Sequence, residues 1–498
     1  MTGNGAGSEA DWGPWLERLA AARAASTEMG GADRLDRHVY AKQRLDVRRR
    51  IDVLLDPGSF TEIGGLVGGR DGLPADGFVC GFGEIDGRPV AVGAEDFSIK
   101  AGSIGTGGHY KRHRIAELAV QEGAPVVWLI EGAGARLGPR TSEPPRLPSD
   151  LEPMADAKGR VPVVCAVLGV SAGHGAITAP LSDFVVMTES AAIFTGGPDL
   201  VKAATGESVT VEDLGGWRVA VQAAGTVHNV VADDAAALAM IRDYLGYFPS
   251  NRSQPPPVSV GPDTGPRATP ELLGIIPPDP RRPYDVRLVI RALVDDHSFF
   301  EVQPRYGSSI TVGWGRLGGR PVGIVANNPR HQAGALTSAA AIKATELIEL
   351  ADTFGQPVIF LVDNPGVMAG TAAERAGILK WGGRMYLAGR RLRSPKISVL
   401  MRKGFGFGLV TMAHMPHDRQ TMTLSLPSAN IAAMPAQSGG RTANLDDETL
   451  SRLEQAQRGG PYGLADRLGV DDVVEPGELR NVILRALAFS SARPRITE

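Results

Sequence analysis

The chain has 498 residues, 43% hydrophobic and 21% charged, the balance of a globular protein long enough for two or more domains. Its 52 Lys and Arg against 55 Asp and Glu leave a net charge of −3, which argues against a nucleic-acid or anionic-membrane surface. Two cysteines, Cys80 and Cys165, exclude a disulfide framework and an all-cysteine metal site. No apolar run reaches the ~18 residues of a membrane span. The opening MTGNGAGSEADWGPW has neither the basic nor the apolar region of a signal peptide, so a cytoplasmic protein is expected.

In chain order, residues 1–10 read as disordered and 11–27 as an amphipathic helix with Trp15, Leu16 and Leu19 on one side. The proline density between Pro249 and Pro283 forbids long regular structure and suggests a linker over 251–283. The regions on either side are copies of each other. DVRRRIDVLLDPGSFTE (46–62) reappears as DVRLVIRALVDDHSFFE (285–301), and GFGEIDGRPV (81–90) as GWGRLGGRPV (313–322). GAPVVWLIEGAGARLG (123–138) returns as GQPVIFLVDNPGVMAG (355–370), and Gly173-His174-Gly175 as Gly406-Phe407-Gly408. The offset holds at 232 or 233 over the last three matches, the register of a duplicated domain. Each copy reads as a hairpin ending in GRPV, then a helix (Tyr110–Gln121; Ser338–Thr353) and an apolar strand (Pro125–Ile130; Pro357–Val362). A second apolar strand follows (Pro162–Leu168; Lys396–Met401) and ends in a glycine turn. Bounded apolar strands alternating with helices imply an α/β fold with buried, mostly parallel sheet, and functional loops at the carboxyl ends of the strands.

The glycine motifs admit several chemistries. Gly313 to Gly318 spells GxGxxG, but it lies in a hairpin and opens no helix, which argues against a dinucleotide site. Gly169-Val-Ser-Ala-Gly173 spells the GxSxG of a serine hydrolase, with Asp183 and His228 as available partners. The duplicated turn has no serine, so what the copies share is glycine and its place after a strand. That points to backbone amides aimed at developing oxyanions, and two such turns would suit acyl-like transfer between an enolate and a urea-like carrier. His109, Lys111, Arg112, His113 and Arg114 open a helix behind the glycine-rich 102–108, either as a solvated face or as a phosphate contact. His331, His414 and His417 lack companions at metal-ligand spacing, and no metal is expected.

Over residues 30–490 the chain resembles the carboxyltransferase β subunit of biotin-dependent acyl-CoA carboxylases of the propionyl-, acetyl- and methylcrotonyl-CoA type. The matching segments include RRRIDVLLDPGSFTE, GRPVAVGAEDFSIKAGSIG, the EGAGAR loop, SAGHGAITAPLSDFVVM, IFTGGPDLVKAATGE, Asp213 to Gly216, VANNP (325–329), LVDNPG (361–366) and RKGFGFG (402–408). The resemblance implies tandem crotonase-like domains, an acyl-CoA-binding one over 28–250 and a carboxybiotin-binding one over 284–498. It implies that Gly173 and His174 form the oxyanion pair for the thioester, and Phe407 and Gly408 the pair for the biotin urea oxygen. It assigns Gly102, Ser103, Lys111, Ala133 and Gly134 to acyl-CoA binding, Val410 to the acyl pocket, and Gly366 and Val367 to the biotin. The implied chemistry is release of CO2 from carboxybiotin, removal of the acyl-CoA α-proton by the biotin nitrogen, and attack of the enolate on CO2. The active site would form between subunits of a homo-oligomer, commonly a hexamer. Biotin would arrive on a separate biotin carboxylase and carrier α subunit, because no ATP-binding domain and no Ala-Met-Lys-Met site is present here.

The family usually has glycine where His174 and Phe407 stand, and many members have Asp at Val410. An acyl-CoA decarboxylase of the same fold, with His174 as proton donor to the enolate, and a non-catalytic CoA-ester-binding scaffold are the alternative readings.

Overall fold

A computed structural model describes residues 7–136, 148–457 and 459–490. Residues 1–6 of the expected tail, and Leu137 and Gly138 of the loop after the central strand, lie outside the described residues. The first helix runs Gly7–Thr27, four residues further back than the periodicity suggests, and Trp15 and Leu16 are exposed rather than buried. The chain divides into two compact units, Met1–Leu245 and Gly246–Glu498.

The first unit contains β1 (Thr61–Ile63), β2 (Phe78–Ile85), β3 (Arg88–Glu95), β4 (Val126–Ile130), β5 (Val163–Val167), β6 (Val170–Ala172), β7 (Phe184–Thr188), β8 (Ala192–Phe194) and β9 (Asn229–Val231). Its main sheet has the order β1-β2-β3-β4-β5-β7-β9, antiparallel through β3 and parallel beyond it, while β6 and β8 form a separate parallel pair. The β4 run VVWLI and the β5 run VVCAV are buried throughout, as strands covered on both faces must be. Trp128, Ile130, Cys165, Val167 and Met187 join one core with Ile115 and Ala119 of the helix Thr106–Glu122.

The second unit contains β10 (Phe300–Val302), β11 (Ile310–Leu317), β12 (Arg320–Asn327), β13 (Val358–Asn364), β14 (Lys396–Phe405), β15 (Met422–Ser425), β16 (Asn430–Ala432) and β17 (Asp472–Val473). The order is β10-β11-β12-β13-β14-β15-β17, with β16 on the far end of β14. Residues 397–400 of β14 pair with β15 and residues 403–405 with β16. One ten-residue strand therefore does what β5 and β6 do separately in the first unit, where Leu168 and Gly169 interrupt the run. The expected linker 251–283 belongs to the second unit. Its prolines leave only the four-residue helix Leu272–Ile275, but Ser259 N donates to Gly319 O (2.9 Å), Thr269 N donates to Gly477 O (2.7 Å), and Leu272 is fully buried.

The structure shows why the repeated residues are repeated. Asp46 caps the helix Val47–Leu54 by accepting from Arg48 N and Arg49 N, and Asp285 caps Val286–Leu293 by accepting from Arg287 N. Arg48 pairs with Glu62 at 2.9 Å, and Arg287 with Glu301 at 2.8 Å. Ser59 and Ser298 each accept from the edge of a hairpin, at Glu84 N and Arg316 N. Asp56 and Asp295 each receive the hairpin's glycine amides, at Gly87 and at Gly318 and Gly319. Gly313, the first glycine of the GxGxxG string, lies inside β11, where a Cβ would come 2.3 Å from the Phe300 carbonyl oxygen.

Each unit also holds a neutral imidazole away from water, His414 fully buried and His228 partly so. His228 Nδ1 accepts from Val185 N at 2.9 Å, and His414 Nδ1 shares a hydrogen bond with Ser398 Oγ at 2.8 Å. Burial pushes both from 6.5 down to about 4. The unfolded chain therefore takes up protons below pH 6.5 that the folded one refuses. The stability held above pH 6.5 drains away as pH falls toward 4, by about 2 kcal/mol per histidine at pH 5. Thermal melting at pH 7.5 and 5.0 should show this drop, and His414→Gln should shrink it; an unchanged drop would refute the assignment for His414.

Candidate functional site

The first unit brings three backbone segments together. Residues 100–102 turn with positive φ, and Gly102 (φ +65°) lies so close to the end of β4 that a Cβ would stand 2.2 Å from Glu131 O. Ala133 N donates to Ala101 O (3.0 Å), Ile104 N to Gly134 O (2.7 Å) and Arg136 N to Ile104 O (3.0 Å). Arg136 Nε donates to Ser103 Oγ at 3.1 Å. The loop bears in turn on the glycine turn. Ala172 N donates to Gly132 O (2.9 Å), and a Cβ on Gly134 would stand 2.6 Å from Ala172 O. The structure thus gathers Gly102, Ser103, Ala133, Gly134, Gly173 and His174. Gly173 has φ +57° and opens the short helix Gly173–Ala176, whose first amides have no intrahelical acceptor.

The second unit repeats this geometry. Gly334 (φ +84°) would place a Cβ 2.6 Å from Asp363 O, Leu336 N donates to Gly366 O (3.1 Å), and Met368 N donates to Leu336 O (2.9 Å). Gly406 (φ +54°) opens the helix Gly406–Thr411. Gly408 is wedged against the loop, where a Cβ would meet Asn364 Oδ1 at 2.6 Å and the Gly366 carbonyl carbon at 2.9 Å. Gly366, Val367, Phe407 and Gly408 are therefore neighbours. The counterpart of Gly173 is Gly406, one residue before the pair expected from sequence, and the offset of 233 already points to it. Gly366 N is already engaged by Asn364 Oδ1 at 2.7 Å. Val410 is half-buried one helical turn after the exposed Phe407, on the same side of the helix.

A carboxylate at the end of the fourth strand braces each cluster. Buried Glu131 pairs with Arg44 and with Arg50 (2.7 Å), and buried Asp363 with Arg402 (2.8 Å) and Lys403 (3.4 Å). Glu131 N donates to Glu95 Oε2 (2.8 Å), and Asp363 N to Asn327 Oδ1 (3.2 Å).

Lys111 and the basic cluster stand elsewhere. Lys111 is buried, with Nζ donating to the carbonyls of Ala75 (3.2 Å) and Phe78, and Lys343 does the same at Gln303 (3.2 Å) and Tyr306 (2.6 Å). Desolvation lowers both amines, Lys343 to about 7. The expected phosphate contact at Lys111 is thus corrected: its ammonium holds two carbonyls, and its duplicate holds two more. Arg112 is fully buried between Asp150 (2.8 Å) and Glu95 (3.2 Å), and His109 is buried against Pro148 O. The helix begins at Thr106, so Gly107 and Gly108 are helical, and Gly108 N is spent on Asp76 Oδ2 (2.9 Å). The serine-hydrolase constellation is not assembled: Ser171 Oγ is buried with no partner among the described residues, and Asp183 receives Val163 N and Lys158.

Sequence reasoning missed Asp150. Its carboxylate accepts from His174 Nε2 at 2.7 Å and from Arg112 Nε at 2.8 Å, and His109 Nδ1 is 3.4 Å away. Burial would raise this carboxyl, but the His174 hydrogen bond and the Arg112 charge outweigh burial and hold it well below the usual carboxylate range. No pattern around Asp150 announces this. Among the described residues no helix is long and apolar enough to cross a membrane.

Two copies of a strand, glycine turn and bracing loop define a duplicated crotonase-like α/β fold. The carboxyl transferase domain family matches residues 38–498. The propionyl-CoA carboxylase carboxyltransferase subunit of Haloferax mediterranei is 34% identical and covers 96% of each chain. The biotin-dependent acetyl-/propionyl-coenzyme A carboxylase beta5 subunit of Mycobacterium tuberculosis is 35% identical over 95% of this chain and 91% of that one. The crystal structure of the transcarboxylase 12S hexamer, with methylmalonyl-coenzyme A bound, matches with TM-score 0.90 and 31% identity over 100% of this chain and 98% of that one. This chain belongs to the carboxyl transferase family.

Replacing Lys111 by Met should leave two buried carbonyls unpaired and destabilise the first unit by about 2–4 kcal/mol in urea unfolding. The affinity of the folded variant for CoA esters should match the wild type. A tenfold loss of affinity with unchanged stability would restore Lys111 to the binding site.

Proposed function

We propose that this chain is the carboxyltransferase component of a biotin-dependent acyl-CoA carboxylase. The observation that carries this reading is the paired glycine turns, built alike in both units of a chain that matches the carboxyl transferase family over 38–498. Biotin, supplied on a partner biotin carboxylase and carrier subunit, would supply the carboxyl group as CO2. A ureido oxygen is a hydrogen-bond acceptor, and the opening amides of Gly406–Thr411 are donors without intrahelical acceptors, so the residues present suit it.

The amides of Gly173 and His174 hold the thioester oxygen as it gains charge in the enolate. Gly102, Ser103, Ala133 and Gly134 shape the CoA-ester side of that turn. The amides of Phe407 and Gly408 face the biotin urea oxygen, with Gly366 and Val367 beside them and Gly406 fixing the bend. Each preorganised donor is worth roughly 10²–10³ in rate. Val410 is our candidate for the acyl pocket, and Phe407, one turn earlier on the same face, fills space on the biotin side. The relatives' substrates make propionyl- and acetyl-CoA the first to try, and a hexamer is the assembly we infer from the transcarboxylase core. The two cysteines are free and buried, in keeping with the cytoplasm as the compartment.

A screen of ¹⁴C-bicarbonate fixation over acyl-CoAs, with the biotin-carrying partner from the same source, should show acyl-CoA-dependent label. Absence of label with every acyl-CoA would overturn the reading. Mixing subunits damaged in the first turn with subunits damaged in the second should restore part of the activity, whereas a fully active monomer would contradict a shared site. Val410→Asp should lower turnover on longer acyl-CoAs more than on acetyl-CoA, since each apolar methylene buried is worth about 0.8 kcal/mol. Equal losses on all chain lengths would remove residue 410 from the acyl pocket.

A further inference from the structure

The two turns share their backbone and differ in their side chains, and the ionisable groups behind the first turn are replaced by neutral ones behind the second. At the offset that relates the copies, His174 becomes Phe407, Asp150 becomes Gly382, Arg112 becomes Ala344 and Glu95 becomes Asn327. Phe407 lies over Gly382, where a Cβ would stand 3.2 Å from its ring, and beside Tyr386. In the first unit the same position carries an imidazole whose Nε2 is 2.7 Å from the fully buried Asp150. An ionised carboxylate only accepts, so the neutral ring carries its proton on His174 Nε2 and its lone pair on Nδ1. Among the described residues no hydrogen bond reaches that Nδ1, and the side chain is 28% exposed. The charged and titratable groups facing the ring are Asp150, His109, Arg112 and Glu95. Arg112 neutralises Asp150 and is itself held by Glu95 and by Thr178 Oγ1 (2.7 Å).

We propose that the His174 side chain, in place of the biotin nitrogen that the resemblance implies, is the base that removes the α-proton of the acyl-CoA, with Asp150 as the residue that positions it. This rests on the reading of the first turn as the thioester site. The ring hangs from the residue whose amide holds the thioester oxygen, and the acidic carbon is one bond from that carbonyl. The α-carbon–hydrogen bond breaks, its electron pair moves into the thioester enolate held by the turn, and the proton forms a bond to Nδ1. Asp150 stabilises the imidazolium so formed, in the manner of a buried carboxylate behind a catalytic histidine. The substrate class is a CoA thioester bearing an α-hydrogen.

His109, Asp150 and His174 also place a ligand atom each within 4.8 Å of one another. At 2.7 Å, however, His174 Nε2 and Asp150 Oδ1 stand closer than two ligands of one tetrahedral zinc ion, which are roughly 3.3 Å apart. The distance is that of a hydrogen bond from Nε2–H to the carboxylate.

A base that belongs to the chain works without biotin. The biotin-free protein with propionyl-CoA in D2O should exchange the α-hydrogens for deuterium, read by mass spectrometry. His174→Gln keeps the backbone amide and should slow exchange at least 100-fold, with propionyl-CoA affinity within twofold of wild type. His174→Phe copies the second turn and should behave alike, guarding against a fault peculiar to Gln. Asp150→Asn should slow exchange about tenfold or more without changing affinity, and Asp150→Glu should recover part of it. Chelators should leave exchange unchanged; loss on chelation with recovery on adding zinc would overturn the proposal in favour of a metal site. Absence of exchange in the wild type with propionyl-CoA bound, or equal exchange in His174→Gln, would also overturn it. Label fixation by the full complex separates the two readings: fixation without biotin-free exchange removes the role of His174, and exchange without fixation supports that role while overturning carboxyl transfer.

Discussion

Two stretches of backbone touch at Gly102 and Gly132, and the arrangement of the first turn depends on that contact. A Cβ on Gly102 would be 2.2 Å from Glu131 O, and one on Gly132 would be 2.4 Å from Gly102 O. No side chain relieves such an approach, so glycine is demanded by space as well as by the positive φ at Gly102. The contact lets Ala133 N donate to Ala101 O and Ile104 N to Gly134 O across the seam, which aims the loop at Ala172 and fixes where Gly173 bends the chain. It also brings Glu131 inside, where two arginines are needed to compensate a buried carboxylate. The second unit solves the same problem with Gly334, Asp363, Arg402 and Lys403.

Much of this architecture was legible in the chain. The offset of 232 announced the duplication, and the apolar runs after Pro125, Pro162 and Pro357 placed the parallel strands within a residue or two. A buried parallel strand must be continuously apolar, so composition and position carry the same information there. The glycine turns were legible because a positive φ after a strand leaves few residue types available.

The cations were not legible. Lys111 and Arg112 look like a solvated basic face, yet both are buried, because carbonyls and carboxylates tens of residues away fold back onto them. Whether a lysine meets water or Ala75 O is decided by long-range packing that leaves no local periodicity. Asp150 has the same property: its neighbours in sequence are Ser149 and Leu151, and its partners are His174 and Arg112. Proline density told only that regular structure over 251–283 is short; that Ser259 N and Thr269 N find acceptors at Gly319 and Gly477 is again a matter of long-range packing.

The break between β5 and β6 has a mechanical meaning. In the second unit β14 runs unbroken from Lys396 to Phe405, so its glycine turn is the tip of a cantilever clamped by β13, β15 and β16 of one sheet. In the first unit Leu168 and Gly169 part the two strands, and the turn at Gly173 rides on a short separate ribbon paired only with β8. One mount is stiff and the other is jointed. A stiff mount holds one geometry and a jointed one can follow a ligand that varies, so two copies with the same turn differ in how far that turn can yield.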